Sequence, residues 1–155
     1  MLIMTREDKE LLLKDLCARL PYGVVLEQTY KVTVITTNTE EVLTRKIELY
    51  SINTLDDMTV SGIHNDGEEE ICFFDEVKPY LFPMSSMSEE QYNEFFSYFH
   101  NIEMAEVKAS GDYLKAAYLG ENAKRDWLNK NHFDYHYLIP KGLAIDATGK
   151  NIYKL

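Results

Sequence analysis

Apolar side chains recur at helical spacing early in the chain: Leu12, Leu13, Leu16, Cys17 and Leu20 read as one face. Thr5 precedes them and Asp8 follows three residues later, close to the amides that a helix start leaves unpaired, so a first helix is predicted from Thr5. Pro21-Tyr22-Gly23 ends it. The pattern then shifts to short β-branched and aromatic runs between polar turns: Val24–Leu26, Tyr30–Ile35, Val42–Ile52, Met58–Ile63 and Ile71–Phe74. Asn65-Asp66-Gly67 marks a hairpin between the last two, because Asp-Gly supplies the positive φ angles of a tight turn. These runs predict a five-stranded antiparallel meander, with a small barrel as its closed form.

A connection follows, Val77–Met84, whose Pro79 and Pro83 exclude helix and argue against a central strand. Ser88 and Gln91 form a capping box, and Met87 and Tyr92 occupy the positions of a hydrophobic staple, so a helix begins there. Tyr92, Phe95, Phe96 and Phe99 give it an aromatic stripe, expected to be buried, as far as about His100. Residues 101–111 carry no decisive pattern. Asp112–Leu119 predicts a short helix closed by Gly120, and Asn122 opens another that carries Trp127, a candidate core anchor, and Leu128. The fold class expected is α+β in a single domain, 1–155: an N-terminal helix, the meander, then several C-terminal helices.

Composition narrows the function classes. Of 155 residues 45% are hydrophobic, enough for one ordinary core without disulfide or metal support. Sixteen Lys and Arg against 26 Asp and Glu give a net charge of −10, which speaks against direct binding to nucleic acid, where cations on phosphates dominate affinity. Cys17 and Cys72 stand without Cys or His partners at ligand spacing; both are expected as buried, inert core residues in a reducing, cytoplasmic setting. Met1–Met4 is too short an apolar stretch for a signal-peptide core, no longer apolar run suggests a membrane partner, and Met4 also makes a plausible start.

Candidate chemistry is sparse. His132, Asp134 and His136 form H-x-D-x-H, and only a strand places all three on one side; in a helix Asp134 turns roughly 200° from His132. The surroundings favour helix ends instead, with Asn129–Asn131 closing one helix and Asp134 capping a short one that Pro140 limits to about a turn. No metal site is therefore assigned. The glycines never form a phosphate-cradling loop, which leaves no cofactor, and Ser85, Ser86 and Ser88 read as capping residues without a nucleophile elbow. His64 precedes a turn and His100 ends a helix, while Asp66, Glu68, Glu69 and Glu70 read as a solvated acidic tip or a docking point for a basic partner. The segment singled out is Val77–Ser88: either it packs down over the sheet, or Pro79, Tyr80, Leu81, Phe82, Pro83, Met84 and Met87 offer a protein-binding surface. Tyr80 is expected to be structural and Phe82 the more exposed.

Three blocks, LLLKDLCARLPYGV (11–24), VKPYLFPMSSMSEE (77–90) and DWLNKNHFDYHYLIPKGLAI (126–145), resemble a recurrent set of small uncharacterised proteins of Bacteroides-type gut bacteria, their prophages and phages. The resemblance implies a context and no mechanism. That set commonly carries Arg and Gly where this chain has His136 and Tyr137, which speaks further against an H-x-D-x-H ligand set, and its other block usually carries Arg where this chain has Phe82. The function expected is a non-catalytic interaction or accessory protein of a mobile element or phage with an unidentified protein partner. Alternatives are an acidic decoy of a nucleic-acid-binding protein and a metal-dependent hydrolase.

Overall fold

The computed structural model describes residues 4–55 and 58–153, so Met1–Ile3, ahead of the plausible start at Met4, lie outside the described residues. Helix α1 (Arg6–Arg19) starts as predicted: Thr5 Oγ1 accepts from the Asp8 amide at 3.1 Å, and Asp8 answers from the Thr5 amide. Its buried face is centred on Leu12, Asp15, Leu16 and Arg19. Cys17, one step of about 100° past Leu16, is thereby turned outward and is exposed, contrary to expectation. Cys72 is buried, and burial helped by Glu70 and Glu76 pushes its thiol up to about 11.

Strands β1 (Val25–Val34), β2 (Thr39–Asn53), β3 (Thr59–Ile63) and β4 (Glu69–Phe73) form an antiparallel meander. The two runs Val24–Leu26 and Tyr30–Ile35 are one continuous strand, not two. The fifth long strand is β5 (Val77–Pro83), the segment whose prolines argued against it. It returns past the meander to lie beside β1, giving the order β4-β3-β2-β1-β5, and the sheet becomes mixed where β6 (Phe133–Asp134) and β7 (Ile145–Asp146) add in parallel to β5. The five-stranded meander is thus corrected to four strands plus a crossover. Pro79 is the last residue paired with β1, and Pro83 the last of β5, so the missing amides fall where ladders end.

Alternate residues Leu26, Ile47, Leu49, Val60 and Cys72 face α1 and, with Leu12, Leu16, Phe74, Leu81 and Leu138, make the main core. Gly62 is the strand position where backbone must come close, since a Cβ there would lie 2.3 Å from Ile47 Cδ1.

Helix α2 (Glu89–Ser110) runs 22 residues, through the segment without decisive pattern, and ends on Gly111 at φ 68°. Its capping box is the one predicted, with Ser88 Oγ on the Gln91 amide at 3.1 Å and Gln91 Oε1 on the Ser88 amide at 2.9 Å. Helix α3 (Tyr113–Lys130) is unbroken, so the two short helices split at Gly120 are corrected to one. Gly120 serves the crossing instead: a Cβ there would fall 1.9 Å from Glu103 Oε1 of α2. A second cluster of Trp127, Leu128 and Phe133, with Phe82, Met84, Met87 and Phe95 packed on it, joins this hairpin to β5.

Candidate functional site

The segment Val77–Ser88, read either as packing down over the sheet or as a binding surface, is largely interior up to Leu81. Pro79, Tyr80 and Leu81 are buried, while Phe82, Pro83, Met84 and Met87 are half-buried. Tyr80 is fixed twice: its hydroxyl donates to Glu27 Oε2 at 2.8 Å and its carbonyl accepts from Tyr153 Oη at 2.7 Å. Phe82 packs its ring on Phe133 and Tyr153, at 6.1 and 6.0 Å between centroids. The order Tyr80 inside, Phe82 further out is as expected, and Leu81 and Phe82 pack onto the two core clusters.

His132, Asp134 and His136 are sent to three different partners. His132 takes φ 62° just past α3, its carbonyl accepts the Phe82 amide at 2.8 Å, and its ring stacks on Tyr153 at 3.6 Å. Asp134 accepts from the Leu138 and Ile139 amides at 2.8 and 2.9 Å, bracing a turn; the short helix expected there is absent because Phe133 and Asp134 are drawn into the sheet as β6. His136 Nδ1 meets Asp15 Oδ1 at 2.8 Å. Asp15 also holds Arg19 through Nε at 2.8 Å and Nη2 at 3.0 Å, and Arg19 Nη2 donates to the Phe133 carbonyl at 2.6 Å. Both side chains of this ion pair are fully buried. Among the described residues no group of three His, Cys, Asp or Glu side chains is placed to hold a metal.

The electrostatics follow from this packing. Burial, with the Arg19 charge adding to it, pushes His132 down to about 4, so the ring is neutral at pH 7. Burial alone would raise the Asp15 carboxyl, but hydrogen bonds from His136 and Arg19 outweigh it and hold the group below its usual value. Burial raises the Tyr153 phenol despite the Val25 amide it accepts. The cluster ties α1 to β6 and the C-terminal turns, which is a structural task.

A second polar cluster, missed by the sequence reading, lies on the sheet beside an open depression of about 790 Å3. Arg45 Nε donates to Gln28 Oε1 at 2.6 Å, Arg45 Nη2 pairs with Glu70, and His64 Nε2 lies 2.8 Å from the same carboxylate. The Arg45 guanidinium also covers the Tyr30 ring at 4.3 Å. Burial would raise Glu70, yet hydrogen bonds from His64 and Gln28, and the Arg45 charge, bring it below the usual range. Glu70 is therefore not part of a solvated tip; Asp66, Glu68 and Glu69 are exposed. Register is the reason: Gln28 stands opposite Arg45 across β1 and β2, a pairing that only the sheet reveals. These four side chains satisfy one another and brace three strands.

Large apolar side chains are exposed on the sheet and its β1–β2 turn, among them Ile35, Tyr50 and Ile71, and on the two long helices. No residue of α2 is buried, and Tyr92, Phe96, Tyr98 and Met104 are exposed on it. On α3, Tyr113, Leu114 and Tyr118 are 74%, 86% and 67% exposed. The expected burial of the aromatic stripe is thus half correct: Phe95 meets Trp127 at 5.2 Å, whereas Phe96 turns away and stacks on His100 at 5.1 Å. His100 lies mid-helix and not at a helix end. The stripe was legible, but which side would be covered depends on a hairpin partner that the sequence did not identify. No helix among the described residues is long and apolar enough to cross a membrane. No protein-family model, curated protein or solved structure matches this chain.

Proposed function

We propose that the chain is a non-catalytic protein–protein interaction protein, an accessory factor of a bacterial mobile element or phage, and that it engages its partner through the outward faces of α2 and α3. The observation that carries this is a 22-residue helix without one buried residue that nonetheless holds five aromatic side chains besides His100. Large exposed apolar patches on a folded chain mark contact surfaces, and tyrosine and phenylalanine are the side chains that anchor them. The mobile-element context rests on the three sequence blocks alone. The acidic first turn of α2, Glu89 and Glu90, followed by Glu94, favours a partner with a basic rim, which is also how a decoy of a nucleic-acid-binding surface would dock.

Affinity capture from a Bacteroides-type host tests the reading. The triple change Tyr92→Ala, Phe96→Ala and Tyr118→Ala is expected to abolish capture of a reproducible partner while each change shifts stability by no more than about 0.5 kcal/mol, as exposed sites do. Retained capture would refute the surface. A steep fall in capture with salt is expected for the decoy, and a shallow one for an apolar contact.

A further inference from the structure

We propose that the free edge of β1 is a second docking site, which takes an extended acidic segment of a partner protein as an added strand. β1 pairs with β2 over its whole length, Val25 to Val34, but β5 covers it only from Leu26 to Gln28. From Thr29 onward the side of β1 away from β2 has no strand beside it among the described residues. A free edge presents alternate amides and carbonyls ready to pair, and six residues span about 20 Å. The stretch T-Y-K-V-T-V is β-branched and aromatic, and it contains no proline and no bulge.

The edge opens onto a cleft of about 470 Å3 that begins where β5 leaves off, with Thr29, Lys31 and Lys78 on the sheet side and Lys141 and Leu143 from the C-terminal turns opposite. Three lysines from three separate elements converge there in a chain whose net charge is −10. Lys78 and Lys141 make no ion pair among the described residues, and Lys31 reaches Glu40 only at 4.0 Å. Two carboxylates also line the cleft, Asp8, which caps α1 on the Thr5 amide, and Asp75, so the lysines outnumber the acids by three to two. A single lysine on an edge is the usual guard against unwanted pairing. Lysines brought in from β5 and from residue 141 are not needed for that. They do complement carboxylates at alternate positions of an added strand, on the face that Lys31 shares with Val42, while the residues between fall on the other face, with Tyr30 and Val32.

This site is separate from the α2–α3 surface and can fail or hold without it. The probe is the synthetic peptide acetyl-Glu-Val-Glu-Val-Glu-Val-Glu-amide, titrated into the full 15N-labelled chain. Expected are saturable shifts and slowed exchange at the amides of Thr29–Val34. Binding should weaken at least about tenfold for the same peptide with Lys in place of Glu, and equally for one N-methylated at alternate amides, which keeps the charge but cannot form the ladder. The double change Lys31→Glu and Lys141→Glu should reverse the preference between the two charged peptides, and Tyr92→Ala with Phe96→Ala should leave binding unchanged. The proposal is overturned if the N-methylated or Lys peptide binds as well as the acidic one. It is equally overturned if the shifts lie away from β1, if no saturable shift occurs, or if β1 proves to pair with a second copy of the chain.

Discussion

Arg19 carries more of the C-terminal architecture than its place in a surface-type sequence pattern suggests. It is fully buried, holds Asp15 by two hydrogen bonds and reaches across to the Phe133 carbonyl. Arg19→Ala leaves Asp15 buried without its cation, which is expected to cost about 3–5 kcal/mol by urea denaturation. Asp15→Leu combined with Arg19→Met should cost less than the two single changes added together, since the pair is then removed as a unit. His132 supplies the pH dependence. Its folded value is near 4 against an ordinary 6.5, so as pH falls through this window the unfolded chain takes up a proton that the folded chain refuses. Stability therefore rises with pH between about 4 and 6.5, by a few kcal/mol at most. Asp15 acts lower down: its depressed carboxyl contributes above the usual 3.8, and that contribution is lost as pH falls below it. Asparagine at 132 tolerates the φ of 62° and does not titrate, so His132→Asn should flatten the slope between pH 4 and 6.5 whatever its effect on absolute stability. An unchanged slope in that variant would show that the buried ring does not set it.

At the scale of elements, local signals were readable and pairing choices were not. Both capping boxes, at Thr5 and at Ser88, are as the sequence predicts because each needs only four consecutive residues. The hairpin at Asn65–Gly67 was equally legible for the same reason. The crossover of β5 was not, since hydrophobic period tells which face a strand presents but not which neighbour it chooses, and the prolines pointed away from a strand altogether. Gly120 misled in the other direction. A glycine after Leu119 looks like a helix stop, whereas here the missing side chain lets α2 approach. This predicts a specific non-additivity. In a Glu103→Ala background, Gly120→Ala should stabilise α3 by about 1 kcal/mol through helix propensity. In the natural background that gain should be lost, because the new methyl displaces Glu103. A double-mutant cycle on thermal unfolding measures the coupling, and additive effects would mean that the helices are not in close contact at this point.

For the molecule as a whole, two packed clusters divide the work, and the H-x-D-x-H stretch lies at their junction. The main core is closed by α1 and the sheet, while Trp127, 5% exposed, stacks on Phe133 at 5.7 Å with 11° between rings and so fastens the helical hairpin to β6 and β5. Within the hairpin α2 buries no residue completely, whereas α3 buries Ala116, Gly120 and Ala123 besides Trp127 and Leu128. Trp127→Ala removes the anchor and opens a large void, so a loss of about 3–5 kcal/mol is expected. The distribution of the damage is the more telling outcome. Amides of α2 and α3 should exchange faster and at lower denaturant than those of β1–β3, whose core of Leu26, Ile47 and Val60 lies in the other cluster. Should all protected amides instead move together, the two clusters unfold as one unit and the hairpin is no separately mounted element. Uneven loosening would mean that the contact proposed for α2 and α3 bears on a lightly fastened part of the fold, where binding energy is most able to shift local order.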